Sequence, residues 1–329
     1  MTMFFLMCSE RSGSNFVTKL LNGHSNICGP STKHIINPVA RNLFRYEPLG
    51  EEDNWNALLA DIHNLMSVSF TMWKREFSLD DLMGLAPTGD IQALLRNIFH
   101  EEAKANGKQH VFIKENHLYE FLPFLLLNFP EARYIYQSRD PRDMALSWKK
   151  NPDHPGGVVS AARRWQQDQQ NFLKNYNELE KIGKAYHLRY EDLISEPQRY
   201  SAEMLNFLGL PVEDVASEFY KDELTRKNAD LHQAWSNLSR TVISDNKEKY
   251  LKELTAEEIG VIEKICYYEM CLLGYTPTRT STELNSIDEK MIGRLDAHER
   301  ESIEYERSDG VKSNMNAKRR FYTRLGVEK

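Results

Sequence analysis

Seven residues, Ser9-Glu10-Arg11-Ser12-Gly13-Ser14-Asn15, interrupt an apolar run that starts at Thr2 and resumes as a helical pattern toward Leu21. Small hydroxyl residues, a glycine and an arginine in a turn between strand and helix make an anion cradle. Loop N–H groups and the first unpaired N–H groups of the helix point at one spot. Arg11 supplies a fixed fork of donors, and Ser12, Ser14 and Asn15 add neutral ones. With one glycine and no lysine, the loop departs from the Gly-x-x-x-x-Gly-Lys-Ser/Thr pattern that meets terminal phosphates and Mg²⁺. It suits a phosphosulfate held without a metal. Ser and Asn are also ordinary helix caps, so the turn alone does not decide.

A second cluster, YIYQSRDPRDMALSW, covers residues 134–148. Arg139 lies where a strand ends, Pro141 is placed to open a helix, and Ser147 follows Arg139 by eight residues. A turn and two helical turns can bring Ser147 back beside the Arg139 guanidinium, where one phosphate would receive both. The bland alternative is that Arg139, Asp140, Arg142 and Asp143 neutralise one another on the surface. Two anion sites on neighbouring strands describe one nucleotide with phosphates at both ends of its ribose.

The elements that must carry these groups alternate. Met3–Cys8, His110–Lys114, Ala132–Ser138 and Lys184–Tyr190 are predicted strands. Helical spacing marks Asn15–Asn22, Trp55–Ser67, Ile91–Ala105, Tyr119–Asn128, Met144–Lys149, Val158–Glu180, Gln198–Leu208 and Ala256–Leu273. This order predicts an α/β fold, a P-loop-like parallel sheet flanked by helices, with ligands at the carboxyl ends of the strands. Residues 44–107 contain no strand pattern and are predicted to be a helical insertion on the acceptor side, with Asp53, Asp80 and Asp90 as caps. Trp55, Phe70, Trp73, Phe77 and Trp165 are expected near the mouth of the cleft or in the core. From Thr280 the composition turns polar. Leu284, Ile287, Met291, Leu295 and His298 form a narrow stripe that would dock on the body or pair a second copy into a homodimer. Beyond Ser308 the basic run Lys318-Arg319-Arg320 reads as a loosely ordered, solvated tail.

The 329 residues are 41% hydrophobic and can bury a large core. A net charge of −6, with no basic stripe, argues against a nucleic-acid partner. Cys8, Cys28, Cys266 and Cys271 have no paired metal spacing, and buried reduced thiols fit a cytoplasmic setting. No window reaches 18 apolar residues, so no membrane span is expected.

The chain resembles the sulfotransferase family, enzymes that use 3′-phosphoadenosine 5′-phosphosulfate (PAPS) and release 3′-phosphoadenosine 5′-phosphate (PAP). The likeness is carried by SERSGSN with FVTKLLNGHSNI, by SRDPRDMALSW, by LRYEDLISEP with FLGLP, and by RTVISDNKEKYLKELTAEE leading to Gly274-Tyr275. It covers residues 1–277 and implies a catalytic domain there, with 278–329 as a helical extension. The resemblance implies that Arg11, Ser12, Gly13, Ser14, Asn15 and Phe16 hold the 5′-phosphosulfate, that Arg139 and Ser147 hold the 3′-phosphate, and that Tyr190 lies near the adenine. Lys249-Tyr250 stands where relatives carry a Lys-Trp or Arg-Trp pair near the nucleotide. Arg11 would also stabilise the leaving bridge oxygen.

The proton acceptor stays open between several groups. Some family branches place a carboxylate after the first helix, but no Asp or Glu occurs between Arg11 and Tyr46, and His34 is the nearest substitute. Others place a His after the second strand. In IKENHLYEFLP, which resembles a K-x-H-L-P block, His117 follows Lys114 by three residues instead of two. Either His117 faces the cleft, or Asn116 takes that place and Glu115 or His34 is the base. His24 matches a family histidine of structural character. The expected activity is transfer of a sulfuryl group to a hydroxyl of a sugar or small metabolite, with no metal required. The rivals are a catalytically silent nucleotide-binding module of the same fold and a P-loop-like phosphotransferase, whose lysine and Mg²⁺-holding aspartate are not found.

Overall fold

The computed structural model describes residues 1–231 and 233–323. Five strands, β1 (Met3–Cys8), β2 (Ile27–Cys28), β3 (His110–Lys114), β4 (Arg133–Ser138) and β5 (Ala185–Arg189), form one parallel sheet in the order β2-β3-β1-β4-β5. β1 is apolar along its whole length, and that is what a central strand covered on both faces requires. Its period of two divides the side chains: Met3, Phe5 and Met7 enter one core, Phe4, Leu6 and Cys8 the other. Each of these phenylalanines contributes roughly 1.5–3 kcal/mol by leaving water. In register, Leu6 stands between Lys114 of β3 and Ile135 of β4. The last residues of the strands therefore share one edge, where Ser9, Glu115, Arg139 and Tyr190 begin the connections.

Helices cover both faces. Ser14–Asn22 follows β1; Ile36–Asn42, Glu52–Ser67, Leu79–Met83 and Ile91–Ala105 lie between β2 and β3; Leu122–Asn128 leads to β4; Pro141–Lys149 and Val158–Lys181 lead to β5. Residues 44–107 contain no strand. Among their expected caps only Asp90 acts as one, accepting from Ala93 N–H at 2.8 Å. Asp53 and Asp80 sit inside the first turns of their helices, where their charge favours the dipole. Ser78 caps the second of these, reciprocally with Asp81. The segment expected as one helix over Tyr119–Asn128 divides into a 3₁₀ turn, Leu118–Glu120, and Leu122–Asn128, with Pro123 in the first turn of the latter. β2 went unpredicted because two residues carry no periodic signal. No helix among the described residues is long and apolar enough to cross a membrane.

The C-terminal region departs most from expectation. Its stripe crosses two helices, Ser281–Asn285 and Glu289–Ser302, and Asp288 caps the second, which restarts the 3.6-residue phase. Leu284, Ile287 and Ile292 pack with Val159 and Val261, while His298 is exposed and Glu299 takes the inward position. Both Glu299 oxygens accept backbone N–H groups at the start of the helix Val158–Lys181, from Val158 at 2.8 Å and Val159 at 3.2 Å. The tail after Ser308 is not loose. It forms the helix Asp309–Thr323, anchored by fully buried Phe321 beside Tyr46 (ring centroids 6.2 Å apart). Arg319 and Arg320 are exposed, but Lys318 turns inward.

Candidate functional site

The loop after β1 turns through two left-handed residues, Arg11 (φ 59°) and Gly13 (φ 87°). Gly13, not a serine, stands at the helix N-cap. A Cβ on it would lie 2.4 Å from the Tyr190 ring, so only glycine lets the loop approach that aromatic. Ser12 points inward, its hydroxyl donating to the Ser9 carbonyl at 2.7 Å while its own carbonyl accepts from Gln137 Nε2 at 3.0 Å. It braces the loop from below and offers the cleft no hydroxyl. Arg11, Gly13, Ser14, Asn15 and Phe16 line the cleft.

Arg139, at the end of β4, reaches the same loop. Its Nη1 donates to the Arg11 carbonyl at 3.0 Å and its Nη2 to the Asn246 carbonyl at 3.4 Å. The guanidinium carbon lies 4.5 Å from the centroid of Tyr190, and Nε is buried with no hydrogen-bond partner among the described residues. The other charges of the DPRD turn are absorbed by the fold. Asp140 and Glu263 pair with Arg142, and Asp143 accepts the N–H groups of Glu248 and Tyr250 at 2.6 and 3.1 Å. Asp143 thus fixes the segment that carries Asn246 and Lys249, and Asn246 donates to the Tyr190 hydroxyl at 2.7 Å. Arg139 alone of the four charges is left with an unpartnered nitrogen.

Ser147 meets Arg11, not Arg139: its hydroxyl accepts from Arg11 Nε at 3.1 Å. Burial and the neighbouring Arg139 charge bring the Arg11 guanidinium down to about 10. Phe16 meets Tyr190 edge to face at 6.2 Å, and Lys249 lines the same wall. The structure therefore brings Arg11, Gly13, Ser14, Asn15, Phe16, Arg139, Ser147, Tyr190 and Lys249 to one end of one cleft.

The other end lies beyond β3, whose last residue is Lys114. Asn116 and His117 both face the cleft, because His117 adopts a left-handed conformation (φ 53°) that carries its ring back toward the opening. Its Nε2 is buried without a hydrogen-bond partner among the described residues, and burial lowers its pKa. Glu115 turns away from the main cleft: Oε1 accepts from Ile36 N–H at 3.0 Å and Oε2 lies 3.5 Å from His34 Nδ1. Burial raises this carboxyl to about 7 and takes His34 well below its usual value. Glu10, unmarked by sequence reasoning, is held by Asn116 and by His154, 3.1 Å from its Oε2. Burial pushes Glu10 up, but the hydrogen bond and charge of His154, with His117 and Lys114, outweigh it and bring the carboxyl down to about 2.

His24 is structural, its Nδ1 accepting from Asn26 N–H at 3.0 Å and its Nε2 lying 3.0 Å from the Pro211 carbonyl. Of the aromatics expected near the mouth, Trp55, Trp73, Phe77 and Trp165 are core; Trp165 Nε1 donates to the Arg139 carbonyl at 3.0 Å. Phe70 alone of that set lines the cleft, beside Trp235. Asn116, His154 and Asn246 sit in irregular segments and Trp235 in a short 3₁₀ helix, Gln233–Ser239, where no long periodicity marks a side chain's direction. Glu10 had a signal, its place in the loop between a buried strand and Arg11. Among the described residues, no cluster of His, Cys, Asp and Glu could hold a metal ion.

The cleft measures about 1390 Å³. A site for one small ligand occupies about 300–1,000 Å³, so this one has room for a nucleotide and a second molecule.

A family model described as the sulfotransferase family matches residues 4–214. An uncharacterized protein of Aquifex aeolicus (strain VF5) is 30% identical over 144 residues, 41% of this chain and 19% of that protein, so the match spans about a fifth of the relative's length. Among solved structures, the sulfotransferase domain of the Synechococcus PCC 7002 olefin synthase aligns with a TM-score of 0.50 and 18% identity, covering 81% of this chain and 94% of that one. A sulfotransferase domain from the curacin biosynthetic pathway aligns with a TM-score of 0.48 and 20% identity, covering 84% and 98%. With its parallel sheet and a family match across most of its length, the chain belongs to the sulfotransferase family.

Proposed function

We propose that the protein transfers a sulfuryl group from PAPS to a hydroxyl of a sugar or small metabolite. The observation that carries this reading is the junction of Arg11 and Arg139. Arg139 Nη1 donates to the backbone carbonyl of Arg11 at 3.0 Å, which brings its charge close enough to depress that of the Arg11 guanidinium, and among the described residues Arg139 Nε is buried without a partner. Like charges brought this close, with a donor left unsatisfied, fit a ligand that brings negative charge to both. Gly13, Ser14, Asn15 and Phe16 would hold the 5′ end, Arg139 and Ser147 the 3′-phosphate, and Tyr190 and Lys249 the nucleoside side. Ser12 would contribute through its backbone. PAPS supplies the activated sulfuryl group.

In this reading Ser147 holds Arg11 by Nε, which leaves the outer nitrogens to meet charge growing on the bridge oxygen as its bond to sulfur breaks. One such preorganised donor is worth ~10²–10³ in rate. As the acceptor oxygen bonds to sulfur, its proton passes to His117 Nε2. Burial keeps that imidazole neutral and able to accept it. His34 is the second candidate base, held beside Glu115.

PAP should stabilise the protein without magnesium, by about 2.7 kcal/mol when present at a hundredfold its Kd. Labelled sulfate from PAPS should pass to a hydroxyl acceptor. His117→Ala should lower turnover by roughly 10²–10⁴ and leave PAP affinity nearly intact. Full activity in that variant moves the role to His34, and absence of PAP stabilisation removes the donor assignment.

A further inference from the structure

The walls of the cleft carry eleven lysines and arginines against six aspartates and glutamates, in a chain whose net charge is −6. The donor end uses only some of them: Arg11, Arg139 and Lys249 are assigned there, and Lys150 pairs with Glu253. At the other end Lys114, Arg164 and Lys318 have no carboxylate within ion-pair distance among the described residues.

Lys318 comes from outside the segment matched by the family model, which stops at residue 214. The helix Asp309–Thr323 brings it in. The helix is held from both ends. Before it, Glu306 N–H donates to the Pro152 carbonyl at 3.0 Å and Ser308 N–H to Asp153 at 2.7 Å, which ties it to the loop bearing His154. Along it, Phe321 is buried by Tyr46, and Asn314 reaches the Lys33 carbonyl at 3.5 Å. This packing turns Val311, Met315 and Lys318, spaced at four and three residues, toward the cleft.

Burial brings the Lys318 ammonium down to about 8, and it makes no hydrogen bond among the described residues. The carboxylates that influence it are engaged elsewhere, Glu10 by Asn116 and His154, Glu115 by Ile36 N–H and His34. Around them Asn116 Oδ1 and His117 Nε2, on two residues that line the cleft, are buried with no hydrogen-bond partner among the described residues. A desolvated ammonium with three donors, beside two unmet polar atoms and within a cationic enclosure, fits a polar ligand that brings its own negative charge.

Resting on the sulfotransferase reading above, we propose that the acceptor is an anionic hydroxyl compound, one bearing a carboxylate, phosphate or sulfate besides the hydroxyl to be modified. Lys318 is the specificity-determining residue that meets that anion. The C-terminal helix is thus a working wall of the acceptor site.

The test incubates the full-length protein with sulfate-labelled PAPS and a small-molecule cell extract, and resolves the labelled products by anion exchange. The main product should carry at least two negative charges, one from the new sulfate ester and one already present on the acceptor. Once that acceptor is purified, Lys318→Met should raise its KM by about tenfold or more with kcat little changed, Lys318→Arg should restore most of the loss, and PAP binding should be unaffected. A product whose sulfate is its only charge overturns the inference. So does a Lys318→Met variant that loses kcat equally for charged and neutral acceptors, which would make Lys318 a stabiliser of the transferred group. PAP stabilisation without any labelled product defeats the transfer reading itself, and this inference falls with it.

Discussion

Replacing Arg139 by alanine tests the donor site at its most exposed assumption. In the free protein the guanidinium donates to two carbonyls, Arg11 at 3.0 Å and Asn246 at 3.4 Å, and stacks on Tyr190, while Nε faces no acceptor. A phosphate placed there gains a charge-assisted bond worth about 1.5–3 kcal/mol, so Arg139→Ala should weaken PAP by roughly 10–150-fold. The number alone is not diagnostic, because loss of the two carbonyl contacts could loosen the loop. Titration calorimetry with two ligands separates the effects: PAP, and adenosine 5′-phosphate, which lacks the 3′-phosphate. The variant should lose most of the preference for PAP while its affinity for adenosine 5′-phosphate changes little. Arg139→Lys should recover part of the loss, since it keeps the charge but not the planar fork. Equal weakening of both nucleotides, or an unchanged Kd for PAP, refutes the 3′-phosphate assignment.

Three further outcomes follow from local packing and titration. Gly13→Ala forces a left-handed alanine against the Tyr190 ring, and should lower stability in urea by at least about 1–2 kcal/mol together with PAP affinity; a variant as stable as the parent contradicts the close approach. Phe321→Ala empties a fully buried position and should lower stability by about 3–5 kcal/mol; an unchanged urea midpoint would mean that the C-terminal helix does not pack on the body. His187 is half-buried beside Tyr136 and Ser138, and desolvation, aided by the Arg189 charge, lowers its pKa to about 4 from 6.5. The unfolded chain then takes the proton first, so stability is full above pH about 6.5, falls as the pH drops and levels below about 4, a difference of up to about 3 kcal/mol. Unfolding curves across that range should show this acid-side slope in the parent and a shallower one in His187→Phe.

Much of the sheet was legible in advance. β1 and β3 coincide with their predicted bounds, because a continuous apolar or β-branched run closed by polar residues admits little else. β4 and β5 lack only the flanking Ala132, Lys184 and Tyr190, which lie just outside their ladders. The cradle was legible through residue type, but its internal wiring was not. That Gly13 caps the helix, that Ser12 faces the core and that Ser147 turns to Arg11 all depend on φ angles and rotamers set by contacts more than a hundred residues away. The C-terminal helix was illegible for a different reason. Few apolar side chains anchor it, chiefly Ala317 and Phe321, and its hold on the body is tertiary. Lys318 in a basic run looks like a solvated charge until the helix phase separates it from Arg319 and Arg320.

The closeness of Arg11 and Arg139 has a practical consequence for handling the protein. Two cations held this close favour a small oxyanion between them, which would relieve their mutual repulsion. On the proposed reading, phosphate or sulfate in a buffer should therefore compete with the nucleotide and stabilise the fold at once, raising the melting temperature while masking nucleotide binding. Weakly coordinating salts such as chloride give the truer affinity.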